Sequence, residues 1–267
     1  MPPLDGRRRI RAVAGWLALA VALSVGLASI VLGRDDDQPG AAGVDTTATT
    51  SGEATTTTTT AIDDMAPHDA FAHAADRLVS GGAFGYVGTT RAIDVSHARP
   101  GLWLAVDLTV DGQVVTSAER VHEIAVDGSG RAVETVMEGP VVWSRLATSP
   151  ASLAGASYLP ITEESGVEGG GKGVALLPTW LDSTVDRRDA GTDESGQRVL
   201  RATLPAGVLG EIVDGRQAGE ADVMLTLDAA GDPVHVEVTS VSLGTPLRLA
   251  LDIVEIGKPI LIELPAQ

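Results

Sequence analysis

The C-terminal stretch from Asp222 to Pro265 alternates apolar and polar residues over three segments, and this pattern constrains the fold most strongly. A period of two places the apolar side chains on one face of an extended strand. Turn-forming residues such as Ala229 to Asp232 make consecutive strands antiparallel neighbours. The pattern therefore predicts an antiparallel sheet covering an apolar interior. The residues predicted to face that interior are Val223, Leu225, Leu227, Val234, Val236, Val238, Leu247, Leu249 and Leu251.

Shorter runs with strand character occupy much of the chain between Ala83 and Thr203. The dipeptide Asp111-Gly112 predicts a hairpin turn between residues 102–110 and 113–116. A second hairpin is predicted between residues 185–190 and 197–203. Together with the C-terminal segments, these runs predict about ten or eleven antiparallel strands.

Helical segments are few. Asp69 can cap a helix whose apolar face consists of Phe71, Ala74, Ala75, Leu78 and Val79, and Gly81-Gly82 can end it. The chain is therefore expected to be mainly β, of the α+β class, with two or three helices on one side of the sheet. The candidates for the other helices are residues 151–156 and 206–214. Residues 174–181 are predicted to be either a helix cut short by Pro178 or a covering segment.

Composition excludes several classes of function. The 267 residues include no cysteine, which excludes disulfides, thiolate catalysis and a lipid-modified cysteine anchor. The formal net charge of −17 argues against non-specific binding to nucleic acid and against docking on anionic lipid headgroups. No nucleic-acid partner is expected.

The N-terminal third predicts an anchor and a tether. Arginines at positions 7, 8, 9 and 11 precede the uncharged run Ala12–Gly33, which can reach about 30 Å as a helix. Positive charge stays on the cytoplasmic side, so residues 1–33 are predicted to be a short cytoplasmic tail and a single transmembrane anchor. The alternative is a cleaved signal peptide. Residues 34–66 are Thr-rich and predict a disordered linker. Residues 67–267 are predicted to form one extracytoplasmic domain.

Catalytic and metal-binding motifs are absent or incomplete. Gly166 to Gly173 has the spacing of a phosphate loop, but Gly173 stands where Ser or Thr is needed, so a mobile loop is predicted. His122 and His235 are predicted on outward strand faces, and no Gly-x-Ser-x-Gly elbow occurs. We therefore expect no enzyme activity, no cofactor and no bound metal.

The closing segment from Ile256 to Pro265 contains Gly257-Lys258-Pro259 followed by alternating apolar residues. Together with the preceding strands and the Asp228 to Gly231 turn, this ending resembles the actinobacterial LppX/LprG/LprA/LprF envelope lipoproteins, which have the LolA-like fold. The resemblance covers about Pro67 to Pro265. It implies a half-open antiparallel barrel with helices on the concave face, and an apolar cavity that holds acylated lipids or lipoglycans. The family's anchor cysteine is missing here, and Ala12–Gly33 would replace it.

The resemblance favours a lipid-binding or lipid-carrier domain on the outer face of the cytoplasmic membrane. Its cavity would be lined by the inward residues named above and by Trp103, Leu104, Trp143 and Trp180. Burying acyl chains there would remove apolar surface from water. The alternative is a non-enzymatic interaction or sensor module with a filled core and an envelope or membrane protein as its partner.

Overall fold

A computed structural model describes residues 64–93, 105–161, 173–209, 211–213, 216–217, 219–242 and 245–265. Two α-helices and thirteen strands are formed by these residues, with short 3₁₀ turns between them. In chain order they are α1 (Pro67–Ser80), β1 (Ala83–Ile93), β2 (Ala105–Val115), β3 (Arg120–Asp127), β4 (Ala132–Glu138), β5 (Val141–Ala147), β6 (Leu159–Ile161), α2 (Leu177–Asp182), β7 (Val185–Thr192), β8 (Arg198–Leu204), β9 (Glu211–Val213), β10 (Arg216–Gln217), β11 (Ala221–Leu227), β12 (Pro233–Ser242) and β13 (Thr245–Val254).

Eleven of the strands form one antiparallel sheet in the order β6-β5-β4-β3-β2-β1-β13-β12-β11-β8-β7. The sheet is not closed, since β6 and β7 end it on opposite sides, while β9 and β10 pair separately. This confirms the predicted mainly β class and the predicted number of strands. The last strand pairs with the first, so the C-terminal alternation occupies the middle of the sheet.

The predicted hairpin at Asp111-Gly112 is wrong, because β2 runs without a break from Ala105 to Val115. Both of its neighbours pair with it through this dipeptide: Gly112 lies opposite Tyr86 of β1 and Glu123 of β3. A Cβ atom on Gly112 would lie 2.4 Å from Cζ and Oη of Tyr86. The glycine is therefore explained by the close approach of an aromatic ring within a strand.

Three hairpins use the same local turn, an Asp followed three residues later by a glycine. In each, the Asp carboxylate accepts hydrogen bonds from the backbone amides two and four residues on, at 2.8–3.0 Å. The glycine has a positive φ of 78° to 85°, which favours a residue without a side chain. The three turns begin at Asp127, Asp193 and Asp228, and they fix the β3–β4, β7–β8 and β11–β12 registers.

The helices pack on one side of the sheet, which we call the core face. Helix α1 buries Ala70, Phe71, Ala74, Ala75 and Leu78 there, and Gly81 caps its end. Two details of the prediction are wrong, because Val79 is exposed and the helix begins before Asp69, with Ala66 at the N-cap position. Helix α2 buries Leu177, Trp180 and Leu181 in the same apolar cluster.

Two arginines fasten these helices to the sheet. Arg77 of α1 binds Asp232 after the β11–β12 turn, with Nη2 at 3.1 Å from Oδ2. Arg187 of β7 donates hydrogen bonds to the carbonyl oxygens of Leu181, Asp182 and His68, so it joins the end of α2 to the start of α1.

The other short helices depart from their predictions. Residues 206–209 form a turn, because Gly207 has a φ of +85°, and β9 follows where the helix was expected. Residues 150–155 form a 3₁₀ helix. Pro178 lies in the first turn of α2, where a missing N–H is tolerated, so it starts the α-helix instead of ending it.

Several predictions fall outside the described residues. These are the anchor at 12–33, the linker at 34–63 and most of the glycine-rich loop at 163–173. Among the residues that are described, no helix has the length and apolar character needed to cross a membrane.

Candidate functional site

The predicted inward residues of the three C-terminal strands lie on the core face, whereas Val241 and Val254 point outward and are exposed. Directly opposite residues form rows across the strands, such as Leu225–Val236–Leu251 and Val223–Val238–Leu249. Each strand contributes one more residue that lies two positions from a member of these rows and so points to the same face. These residues are Leu227, Val234 and Leu247. The structure thus brings together the nine residues that the alternation identified.

Most of this part of the core face is closed. No surface is exposed on Leu225, Leu227, Val236 or Leu251. Leu249 is also buried, with 8% of its surface exposed. They pack in one cluster with Trp180 and the buried side of α1. Val234 and Leu247 are half-buried. Beneath the helices, the predicted lining residues therefore form a packed core.

Trp143 does not join this cluster. Trp143 of β5 lies directly opposite Val136, while its neighbour Val142 faces the core. Trp143 is therefore on the outer face of the sheet, away from the helices. Trp103 and Leu104 lie outside the described residues.

A row of polar residues crosses the core face on the other half of the sheet. Tyr86, Gly112, Glu123, Thr135 and Ser144 lie directly opposite one another on β1, β2, β3, β4 and β5. We call this set the polar row. Directly opposite residues share a face, so the side chains of all four non-glycine members point to the core face.

Tyr86 and Glu123 form the central contact of the polar row. The Tyr86 hydroxyl donates a 2.7 Å hydrogen bond to Oε2 of Glu123, across the space that Gly112 leaves free. Burial raises the pKa of the Glu123 carboxyl, although this hydrogen bond and the nearby His122 oppose the rise. Burial and the Glu123 charge together raise the pKa of Tyr86 well above its usual range. Tyr86 is the one hydrogen-bond partner of the Glu123 carboxylate among the described residues.

Thr135 and Ser144 have buried hydroxyls that make no hydrogen bond to any residue the structure describes. Thr135 is 5% exposed and Ser144 is fully buried. Trp180 likewise has a buried Nε1–H without a partner in the described part of the chain. Buried polar atoms normally find partners, so these hydroxyls mark a place where a ligand's polar atoms could bind.

The polar row lies between two apolar rows. On one side are Phe84, Val114, Val121, Met137 and Val142, and on the other are Val110, Ala125, Val133 and Leu146. Most residues of these two apolar rows are buried, and Leu146 is partly exposed. Val106 and Glu123 on the same face are also partly exposed, so this half of the core face has a small accessible area beside its hydrogen-bonding groups.

A second polar cluster lies on the outer face of β3, β4 and β5. Glu134 accepts hydrogen bonds from Arg145 and from His122 Nε2, the latter at 2.8 Å, and Arg145 stacks over the Tyr158 ring at 4.4 Å. Burial opposes the ionisation of Glu134, but its hydrogen bonds outweigh that effect and lower its pKa. Burial and the contact with Glu134 raise the pKa of Tyr158 to about 12. The cluster is fully paired, which suits a structural role.

The predicted outward orientation of His122 and His235 agrees with the structure, where both pair with carboxylates at 2.7–2.8 Å. Within the described residues, no group of three or more His, Asp or Glu side chains is arranged to hold a metal ion.

Reasoning from the sequence missed the polar row, although one signal was present. Glu123 lies two residues from both Val121 and Ala125, so its carboxylate is on the same strand face as these inward apolar residues. Thr135 and Ser144 could not be connected to it without the register of β4 and β5.

No model of a known protein family matches the chain, and no curated protein matches it either. Function is therefore argued from the geometry of the sheet, and the resemblance to the LolA-like lipoproteins stays a prediction.

Proposed function

We propose that this domain binds lipid and holds acyl chains against the core face of its open sheet. The observation that carries the proposal is the division of that face. Beneath α1 and α2, residues such as Leu225, Val236 and Leu251 are fully buried, whereas Val106, Glu123 and Leu146 on β2, β3 and β5 remain partly exposed. Apolar surface of this kind is stabilised by covering it, at about 25 cal/mol per Å².

The division changes where a lipid would bind. The C-terminal residues such as Val236 and Leu251 have no surface available, and most core-face residues of β2 to β5 are buried as well. Acyl chains would therefore first contact the partly exposed Val106 and Leu146. With the predicted anchor at 12–33, the domain would hold or pass on lipids at the outer side of the cytoplasmic membrane. The LolA-like resemblance points to the same function.

The alternative function is an interaction module without a lipid ligand. Its support is the complete burial of Leu225, Val236 and Leu251, which shows that a large part of the predicted cavity is filled by the protein's own side chains. A partner protein would then cover the exposed core-face residues.

Lipid extraction and mass spectrometry of the full chain, purified from a lipid-containing host, test the proposal. Leu146 and Ala147 are neighbours on β5 that point to opposite faces. We expect co-purified lipid to decrease in Leu146→Trp and to remain in Ala147→Trp. A lipid-free chain that also takes up no added phospholipid would contradict lipid binding and favour the interaction module.

A further inference from the structure

We infer that the polar row, consisting of Tyr86, Gly112, Glu123, Thr135 and Ser144, binds the hydroxyl groups of a neutral amphiphile. This inference rests on the proposed lipid-binding function and specifies the chemical class of the ligand. Its basis is that three polar side chains are placed side by side on an apolar face and two of them have buried, unpaired hydroxyls.

The row is organised around a carboxylate that is already oriented. Tyr86 fixes Oε2 of Glu123 through a 2.7 Å hydrogen bond, and no other hydrogen-bond donor among the described residues reaches this carboxylate. A carboxylate can accept several hydrogen bonds, so Glu123 retains capacity for a donor on a ligand. Gly112 lets this arrangement form, because any side chain there would meet the Tyr86 ring.

The two hydroxyls extend the row by one strand each. Thr135 lies opposite Glu123, and Ser144 lies opposite Thr135, so their Cβ atoms are about 5 Å from one another along the row. Each hydroxyl can donate one hydrogen bond and accept others. Leaving them unpaired in a buried position costs stability, and a ligand that paired them would recover that loss.

The donor and acceptor inventory selects the ligand's polar group. An ammonium group donates hydrogen bonds only, so it cannot accept the protons of Thr135 and Ser144. A carboxylate or phosphate would place negative charge beside Glu123, and this row contains no basic side chain. A ligand with adjacent hydroxyls can donate to Glu123 and also accept from Thr135 and Ser144.

The flanking rows select the rest of the ligand. Val121, Met137 and Val142 line one side of the polar row, and Ala125, Val133 and Leu146 line the other. Of these six residues Leu146 is the one that keeps exposed surface, so an acyl chain would lie on Leu146 beside the row while the hydroxyl groups pair with the polar row. A glycerol-like end on an acyl chain has the required combination.

Photo-crosslinking of the full chain in membranes tests the inference. The two probes are a monoacylglycerol and its di-O-methyl analogue, each with a diazirine and an alkyne in its acyl chain. The competitors are the unlabelled monoacylglycerol, its unlabelled di-O-methyl analogue, the matching fatty acid and the matching long-chain amine. We expect the monoacylglycerol to compete about tenfold better than the di-O-methyl analogue, because the analogue lacks both donors.

The double variant Thr135→Val/Ser144→Ala keeps the side-chain volumes and removes both hydroxyls. It is expected to fold, to be labelled less by the monoacylglycerol probe and to lose the preference over the di-O-methyl analogue. Ser240→Ala is the matched control, since the Ser240 hydroxyl faces the core but is already paired with Glu220 O at 2.9 Å. It is expected to behave as wild type.

The outcomes separate the inference from the function on which it rests. If both probes label the domain equally and the double variant changes nothing, lipid binding stands and the role of the polar row is overturned. The same conclusion follows if the fatty acid or the amine competes best. If neither a monoacylglycerol nor a di-O-methyl probe labels the domain, the proposed lipid binding itself is contradicted.

Discussion

Tyr86 donates a hydrogen bond to Glu123 across an intervening strand, and the two residues meet because Gly112 between them has no side chain. A tyrosine hydroxyl and a carboxylate, 2.7 Å apart, are thereby held on the core face among aliphatic residues. This contact joins β1 to β3 without using β2, and it organises the one polar feature that we assign to ligand binding.

Gly112→Ala is predicted to destabilise the fold. The new methyl group would lie 2.4 Å from the Tyr86 ring and 2.9 Å from the His122 carbonyl oxygen, so the ring must move and its hydrogen bond is lost. Overpacking of this kind costs about 1–3 kcal/mol. Gly128→Ala is the control, because no atom lies within 4 Å of its added methyl group. Denaturant unfolding should separate the two variants, and equal midpoints would contradict the packing described here.

Glu123→Gln is predicted to raise stability at neutral pH. Because burial raises the pKa of Glu123 in the folded state, the folded chain holds this proton more tightly than the unfolded chain. The stability contributed by this group is therefore full at acidic pH and decreases as pH rises through the raised folded pKa. Glutamine keeps the acceptor for Tyr86 and removes the charge from this partly buried position.

The predicted direction of this pH dependence is tested by comparing the melting temperatures of Glu123→Gln and wild type at several values of pH. We expect the variant to melt higher at pH 7 and the difference to vanish below the ordinary pKa of glutamate. Other carboxylates with lowered pKa values, such as Asp127 and Asp189, affect both proteins equally. A variant that is less stable than wild type at pH 7 would show that the Glu123 charge stabilises the fold.

Asp232→Asn is predicted to weaken the attachment of α1 to the sheet. The hydrogen bond and charge of Arg77 lower the pKa of Asp232, so this pair stabilises the fold above the ordinary aspartate pKa and is lost as pH falls through the lowered value. A partly exposed pair of this type contributes about 0.5–1 kcal/mol. The loss should appear in thermal unfolding at pH 7 and disappear near pH 2.

Glu255→Gln provides the control for that experiment, since it removes an exposed pair with Lys258 at 3.3 Å. Little change is expected there. An effect of Glu255→Gln as large as that of Asp232→Asn would mean that the Arg77 contact does not fasten the helix.

Arg145→Met is predicted to be among the most damaging changes to the outer face. It would leave the Glu134 carboxylate, whose side chain is 8% exposed, without its main partner. Removing one partner of a buried ion pair lowers the free energy of unfolding by about 3–5 kcal/mol. Arg120→Met removes a more exposed pair with Glu138 and should cost about 1 kcal/mol or less.

The double variant Glu134→Gln/Arg145→Met distinguishes the effect of an unpaired Glu134 charge from the effect of lost Arg145 packing. If the damage comes from an unpaired charge, the double variant should be clearly more stable than Arg145→Met alone. Equal stability of the two would indicate that the contacts of Arg145 with Tyr158 carry the effect instead.

Much of the sheet could be predicted from the sequence, because local signals and tertiary structure agree there. The alternation around Val236 and the Asp-x-x-Gly turn at Asp228 fix β11, β12 and their register. At Asp111-Gly112 a turn signal was present, but packing of the Tyr86 ring against the glycine prevailed. Trp143 was predicted to line the cavity, although it is the direct neighbour of the inward-facing Val142 and therefore lies on the outer face.

The polar row could not be predicted in the same way. Its members Tyr86, Glu123, Thr135 and Ser144 come from four strands, and their proximity depends on the register of every strand between them. The packing of α1 and α2 against only part of the core face was also hidden, since helix periodicity gives the buried side of a helix but not the strands that it covers.

The most direct test places a reporter on each face of β5. Because the chain has no cysteine, Leu146→Cys and Ala147→Cys each provide a single labelling site for a fluorophore. Quenching by phospholipid carrying a nitroxide in its acyl chain is then measured on the full chain. Lipid bound on the core face predicts strong quenching at position 146 and weak quenching at position 147. Equal quenching at both positions, or none at either, would contradict it.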